Sequence, residues 1–272
     1  PDSGAPLALT MGEPAGIGGE IALMAWRRHE QLPTFVLLDD PERLSVLAAN
    51  LGFQVPVETV DTPEEAAAIF HRALPVLRVP LPCKVEPGRP QMAAAGAVIE
   101  SIDRAVALTR AGRTSAVVTS PIHKSTLYQA GFGHPGHTEY LAALADMKEP
   151  AVMMLACATL RVVPVTVHLS LRDAVGALTE DAIVHAGLLA ARALEQDFAV
   201  ARPRLAVAAL NPHAGEDGEL GREEIDIIAP AVARLREAGI PVTGPAPADT
   251  LFHAHARPDF DAVLCMYHDQ AL

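Results

Sequence analysis

The stretch Leu7-Ala8-Leu9-Thr10-Met11-Gly12-Glu13-Pro14-Ala15-Gly16-Ile17-Gly18-Gly19-Glu20 decides the fold. Leu7 to Met11 is a short apolar run of strand length, four glycines follow within eight residues, and an apolar helical pattern runs on from Gly19 to Arg28. A strand that turns through glycines straight into a helix is the first half of a βαβ unit. Outward from it the alternation continues. Strands are expected at 34–38, 55–57, 76–79 and 116–119, with helices at 41–50, 63–72 and 92–110 between them. Beyond Lys124 come helices at 125–130 and 138–144, strands at 152–156 and 162–167, a long helix at 180–196, a strand at 205–209, a helix at 222–238 and a last strand at 261–266. This order predicts an α/β fold of mostly parallel sheets covered by helices.

Length and composition agree. The 272 residues are half apolar, 4% aromatic and 20% charged, enough to bury about three quarters of the unfolded surface without disulfides or metal. Disorder and disulfide mini-scaffolds are excluded. The length predicts two lobes with a cleft, residues 1–121 forming the first α/β lobe and 122–272 the second, which carries the metal and substrate site. A formal charge of −12, from 33 acidic and 21 basic residues, repels phosphate polymers and anionic lipid heads. Neither nucleic acid nor membrane is an expected partner. Cys83, Cys157 and Cys265 are odd in number and lie in apolar surroundings, which predicts buried thiols in a reducing compartment, the cytoplasm. The chain starts without Met and stops soon after a strand-like run, so the protein is expected to continue at both ends.

Four constellations carry candidate chemistry. The glycine turn offers close backbone approach and helix N–H groups to an anion; Gly12, Gly16 and Gly18 are not spaced as GxGxxG, so a dinucleotide fingerprint is ruled out. Thr119-Ser120-Pro121-Ile122-His123-Lys124 closes a strand expected at the centre of the sheet, where ligands of open α/β sheets bind. Lys124 is one of only three lysines, with Lys84 and Lys148. Gly131-Phe132-Gly133-His134-Pro135-Gly136-His137-Thr138-Glu139 is a flexible loop entering a helix. Capping accounts for Thr138 but not for two histidines.

The fourth is a set. His168, His213 and His268 each lie just beyond an apolar strand, in VTVHLS, AALNPHAGEDG and LCMYHDQ. Strand ends on one edge of a parallel sheet converge, so three imidazoles could meet about one cation. Three neutral nitrogens favour Zn²⁺ or a similar first-row metal and leave positions open for substrate oxygens. His29, His71, His185, His253 and His255 lack that placement and read as surface or packing residues. Glu216-Asp217-Gly218-Glu219 reads as a solvated loop.

In order along the chain, MGEPAGIGGEI, TSPIHK with a following AG, GHTEYLA, LNPHAGEDGELGREEIDIIAPA, GPAPADTLF and MYHDQ resemble the segments of the 4-hydroxythreonine-4-phosphate dehydrogenase family of pyridoxal phosphate biosynthesis. The resemblance implies a fold like the isocitrate and isopropylmalate dehydrogenases, and a homodimer with a shared active site. It implies that His168, His213 and His268 are metal ligands shared across the dimer and that His137 and Thr138 contact substrate. The implied reaction is metal-dependent oxidation of the C3 hydroxyl of 4-phosphohydroxy-L-threonine by NAD or NADP, followed by decarboxylation. Zn²⁺ is the expected metal, with Mg²⁺, Mn²⁺ and Co²⁺ as alternatives.

From residue type and placement, Lys124, His137 and Asp249 are the candidate catalytic residues; no residue is assigned to the dinucleotide. Members of the family usually have Asp where this chain has Glu13, and many have Asn where it has His123. Threonate or erythronate 4-phosphate is therefore an alternative substrate. The family also continues past Leu272 with a substrate-holding Lys, Asn and Arg and a dinucleotide-recognition segment, and a C-terminal segment is expected to complete the first lobe. The competing readings are a non-redox metal-dependent lyase or hydrolase, and a catalytically dead fragment or binding module.

Overall fold

The computed structural model describes residues 4–272. The chain divides by packing into two compact units, one running to Ala151 and the other from Val152 to Leu272.

The first unit holds strands β1 (Leu7–Thr10), β2 (Phe35–Asp39), β3 (Val57–Val60), β4 (Leu74–Arg78) and β5 (Val117–Val118), in the order β3-β4-β2-β1-β5. Every pairing is parallel, with Ala8 opposite Val36 and Leu9 opposite Leu37. Its helices are α1 (Gly18–Trp26), α2 (Pro41–Asn50), the short α3 (Ala66–Ile69), α4 (Ala95–Arg110), α5 (Lys124–Gln129) and α6 (His137–Leu144). Alternation along β2 explains why the unit has helices on both faces. Val36 and Leu38 join Val98, Ile102 and Ala105 of α4 in one core. Phe35 and Leu37 join Leu23, Trp26 and Leu44 of α1 and α2 in the other. Strands buried on both faces read as continuous apolar runs, which is how FVLLD appears in the sequence. Asp40 caps α2, accepting from the N–H groups of Glu42 and Arg43 at 2.9 and 3.0 Å, with Pro41 at the first helical position.

The second unit holds β6 (Leu155–Cys157), β7 (Leu160–Thr166), β8 (Leu205–Ala208), β9 (Val242–Ala246) and β10 (Ala262–Tyr267), in the order β6-β7-β10-β8-β9. Only β6 is antiparallel, as the first arm of a hairpin with β7. Helices α7 (Leu171–Ala177), α8 (Glu180–Gln196), α9 (Ala229–Glu237), α10 (Ala248–Leu251) and α11 (His268–Ala271) complete it. Val163, Val207, Leu264 and Met266 pack against Ile183, Leu194, Val232 and Leu235 of α8 and α9. No single helix among the described residues is long and apolar enough to cross a membrane.

Several expectations change. The unit boundary falls at Ala151 rather than near Pro121, because Leu127, Phe132 and Tyr140 are buried in the core of the first unit. The strand ending at Thr119 lies at the sheet edge, not its centre, and Val118 is exposed there. The helix expected over 222–238 opens as a π-type turn at Glu224–Ile228 before α9; Pro230 has no N–H to give Asp226, so the ordinary ladder cannot run through it. Of the three thiols only Cys265 is buried, and burial pushes it up to about 12; Cys157 lies exposed in the β6–β7 hairpin.

Candidate functional site

The carboxyl edge of the second sheet gathers the residues singled out in its sequence. In the order β7-β10-β8-β9, the four parallel strands run into His168, His268, His213 and Asp249. His168 follows β7 by two residues, His268 opens α11, His213 follows β8 and Asp249 lies in α10 beyond β9. Strand ends in such sheets hold ligands because the following loops turn outward there. His168 and His268 line a cavity of about 180 Å³ together with Thr166, Leu169 and Asp269. His213 and Asp249 line a second, of about 320 Å³, with Asn211 and Gln270. Tyr267 lines both.

The backbone is strained at two of the three imidazoles. His168 has φ of 57°. His213 begins a left-handed turn in which five consecutive residues, His213 to Asp217, have φ of 53°, 56°, 80°, 44° and 56°. Each non-glycine residue there costs roughly 1–2 kcal/mol. Such strain persists only where the surroundings hold it, and it gathers at functional sites. Gln270 ties two of the strand ends: its Oε1 accepts from Met266 N at 2.7 Å and its Nε2 donates to Ala209 O at 2.6 Å. The acidic run Glu216-Asp217-Gly218-Glu219, read in the sequence as a plain solvated loop, contributes to this turn. Sequence reasoning missed Gln270 and the buried Glu224. Both lie inside the quoted motifs, but what sets them apart, their hydrogen bonds to Leu210, Asn211, Met266 and Ala209, is made by the fold.

The three imidazoles with a carboxylate at the neighbouring strand end form a donor set suited to a first-row divalent cation. His268 Nδ1 lies 2.8 Å from Asp269 Oδ1 in a hydrogen bond that leaves Nε2 free, the outer-partner arrangement usual for histidines that bind metals. Within one chain, however, no three such donors among the described residues are gathered into a ready metal site. The expected convergence of three rings is met only as a row along one edge, with His213 in a different cavity from the other two.

In the first unit the glycine turn packs on the strand-β5 exit. Glu13 N donates to Pro121 O at 2.8 Å and Ser120 N to Thr10 Oγ1 at 3.2 Å. Gly12 has φ of 67°, and a Cβ there would stand 2.6 Å from Ser120 Cβ. Arg43 braces the turn from below: it pairs with the fully buried Asp39 at 2.5 Å and donates to Pro14 O at 3.1 Å. Burial pushes the Asp39 carboxyl up, an effect Arg43 offsets only in part.

Lys124 opens α5 and is exposed; a Cβ placed on Gly136 would stand 3.5 Å from its Nζ and 3.6 Å from Glu139 Oε2. His137, the first residue of α6, is half-buried, and its Nε2 is buried with no hydrogen-bond partner among the described residues. Burial, and then the Lys124 ammonium, hold its proton affinity below the ordinary value. Thr138 is exposed beside it and makes no capping bond. Tyr140 hydrogen-bonds Asp103 and packs edge-on against Phe132, which anchors α6 on α4. His123 is engaged locally, its Nδ1 2.6 Å from Thr126 Oγ1.

Parallel sheets with polar and imidazole groups along a carboxyl edge define an α/β enzyme with a candidate cation site. The pyridoxal phosphate biosynthetic protein PdxA family model matches residues 31–272, and the chain belongs to that family, a dehydrogenase family. It is 53% identical over 273 residues to a 4-hydroxythreonine-4-phosphate dehydrogenase of Caulobacter vibrioides, covering 98% of this chain and 81% of that one. It is 52% identical to the protein of the same name from Bradyrhizobium diazoefficiens, with the same coverage. Among solved structures, the enzyme of that name from Klebsiella pneumoniae superposes with a TM-score of 0.88 at 36% identity, over 98% of this chain and 82% of that one. A terephthalate 1,2-cis-dihydrodiol dehydrogenase from Burkholderia xenovorans reaches 0.68 at 31% identity, over 98% and 80%.

Proposed function

We propose that this chain oxidises the C3 hydroxyl of 4-phosphohydroxy-L-threonine with NAD⁺ or NADP⁺, and that the β-keto acid so formed loses CO₂ to give 3-amino-2-oxopropyl phosphate. The observation that carries this reading is the row of His168, His268, His213 and Asp249 along four neighbouring strand ends, in a chain more than half identical to a relative of that name. In the balance, C3 gives up a hydride and its hydroxyl proton; the bond to the carboxylate then breaks, and C2 takes a proton. A divalent cation held by the three imidazoles, Zn²⁺ first, would supply Lewis acidity at the C3 oxygen, and a bound dinucleotide would take the hydride.

The chain's own residues supply binding and proton handling. His137, kept neutral, offers Nε2 to a substrate oxygen, and Thr138 beside it adds a hydroxyl. Lys124 is the positive charge for an anionic substrate on a chain that is acidic overall. Asp249 orients the hydroxyl that loses its proton. Because the described residues of one chain do not gather three donors, the reading takes the working form as a homodimer whose partner completes the ligand set. Its place is the cytoplasm, where the dinucleotide pool and reduced thiols are found.

The test is dialysis against a chelator, followed by Zn²⁺ add-back, with NADH or NADPH formation read from 4-phosphohydroxythreonine and, in parallel, from threonate and erythronate 4-phosphates. Activity lost and restored on the amino acid is the expected result. Activity indifferent to chelation overturns the metal role; turnover of the hydroxy acids alone overturns the substrate; turnover without dinucleotide reduction points to a lyase or hydrolase.

A further inference from the structure

Glu224 is a carboxylate with no part in the chemistry above, yet it is 4% exposed. Its Oε1 accepts from the backbone N–H groups of Leu210 and Asn211, both at 2.7 Å, and its Oε2 accepts from Asn211 Nδ2 at 3.0 Å. Asn211 Nδ2 also donates to Glu223 Oε2 at 2.7 Å. These contacts fix the two residues that end the β8 exit, and two residues later the chain enters the left-handed turn at His213. The carboxylate packs against the turn's only glycine, Gly215: a Cβ there would stand 2.8 Å from Glu224 Oε2 and 2.9 Å from Gly221 O. At Gly221 a Cβ would meet Asn211 Nδ2 at 2.3 Å. Four of the five left-handed residues have side chains that disfavour the conformation, so something outside the turn must select it.

We propose that Glu224, acting with Asn211, is a positioning residue that locks the His213 turn in its left-handed form and so presents His213 for cation binding. The proposal rests on the reading of His213 as a metal ligand. All three groups aimed at the carboxylate are N–H donors, so only a group that accepts at both oxygens satisfies them. In Glu224→Gln the shape is kept, but an NH₂ faces another donor and at least one bond is lost. The turn then loses its anchor without a cavity being opened.

Two readouts separate the lock from the ligand. The first is amide hydrogen exchange at Ala214, Glu219 and Leu220, whose N–H groups bond to Asn211, Glu216 and Gly215 carbonyls across the turn. The second is Zn²⁺ affinity of the full chain, measured by competition with a chromophoric chelator. In Glu224→Gln the exchange rates should rise at least tenfold and the affinity should fall roughly 10–100-fold, the range for lost outer partners of a metal ligand. Adding Ala214→Gly, which takes a positive φ without a Cβ penalty, should recover most of that affinity; a merely stabilising role for Glu224 would not be rescued this way. If Glu224→Gln does not fold, Asn211→Ala, which removes only the side-chain donor, should show the same two changes in smaller measure. Unchanged exchange, or unchanged affinity where His213→Ala has lost it, overturns the lock. Full affinity in His213→Ala overturns the ligand reading itself, and the proposal falls with it.

Discussion

Lys124 holds down the proton affinity of His137, second only to the burial of the ring itself. The neutral imidazole is therefore favoured, with an Nε2 that no group among the described residues satisfies. Replacing Lys124 by Met should raise the His137 titration midpoint, though not to its ordinary value near 6.5, because the desolvation remains. Ring-proton NMR across pH 4–8 reads the shift; a midpoint that stays or falls removes Lys124 from the environment of His137. The linkage has a definite sign. A histidine whose folded value is depressed contributes stability that is fully present above the unfolded value. That stability is lost as pH falls from about 6.5 towards the lower folded value. Urea midpoints should therefore decline on acidification through that window in the parent protein and decline less in Lys124→Met.

Gly12 is irreplaceable for two reasons that act together. Its φ of 67° disfavours any L side chain, and a Cβ would press on Ser120 Cβ at 2.6 Å and Pro121 O at 2.7 Å. Gly12→Ala should cost about 1–3 kcal/mol from overpacking, with roughly 1 kcal/mol more from the left-handed backbone. Gly88, which also has positive φ but open space around it, is the control: Gly88→Ala should pay the backbone cost alone. Equal losses at the two positions in chemical denaturation would show that the contact with Ser120 carries no weight.

The βα alternation was legible because the inner strands β2 and β4 of the first unit are buried on both faces and so form the apolar runs FVLLD and LPVLR. β9 escaped notice because Val242-Thr243-Gly244-Pro245-Ala246 carries a glycine and a proline, which ordinarily mark a turn; as an edge strand it tolerates both. Helix α7 was hidden by Gly176 and by its exposed Leu171 and Val175, which blur the apolar period. At the candidate site, the sequence named the histidines through their repeated position after strands. It could not say that His168 and His213 take left-handed backbones, nor that Glu224 is buried, because both depend on what long-range packing brings beside them.

The Asp39–Arg43 pair links the end of β2 to the glycine turn through Pro14 O. Asp39 is fully buried and the Arg43 side chain nearly so. Arg43→Met should therefore destabilise by about 3–5 kcal/mol, since it strands a buried carboxylate, and Asp39→Asn/Arg43→Met should recover most of the loss. The double-mutant cycle is read from urea unfolding. A double variant no more stable than Arg43→Met alone would mean that the cost lies in the released Pro14 contact and not in the unpaired charge.

One chain lines one cavity with His168 and His268 and another with His213, and this arrangement makes a sharp prediction for the proposed homodimer. If the three imidazoles serve one cation and the partner supplies part of the set, His213→Ala and His268→Ala should each abolish turnover alone. When the two variants are co-refolded, half of the dimers form as mixed pairs. Should His213 and His268 of one site come from different chains, each mixed pair would hold one site with both lesions and one intact site, and about a quarter of the parent activity would return. Should they come from the same chain, every site in the mixed pair would carry one lesion and no activity would return, leaving His168 as the residue supplied by the partner. His168→Ala co-refolded with either variant then completes the assignment. Failure of all three pairings to restore turnover would sink the shared site, because no division of three ligands between two chains survives that result.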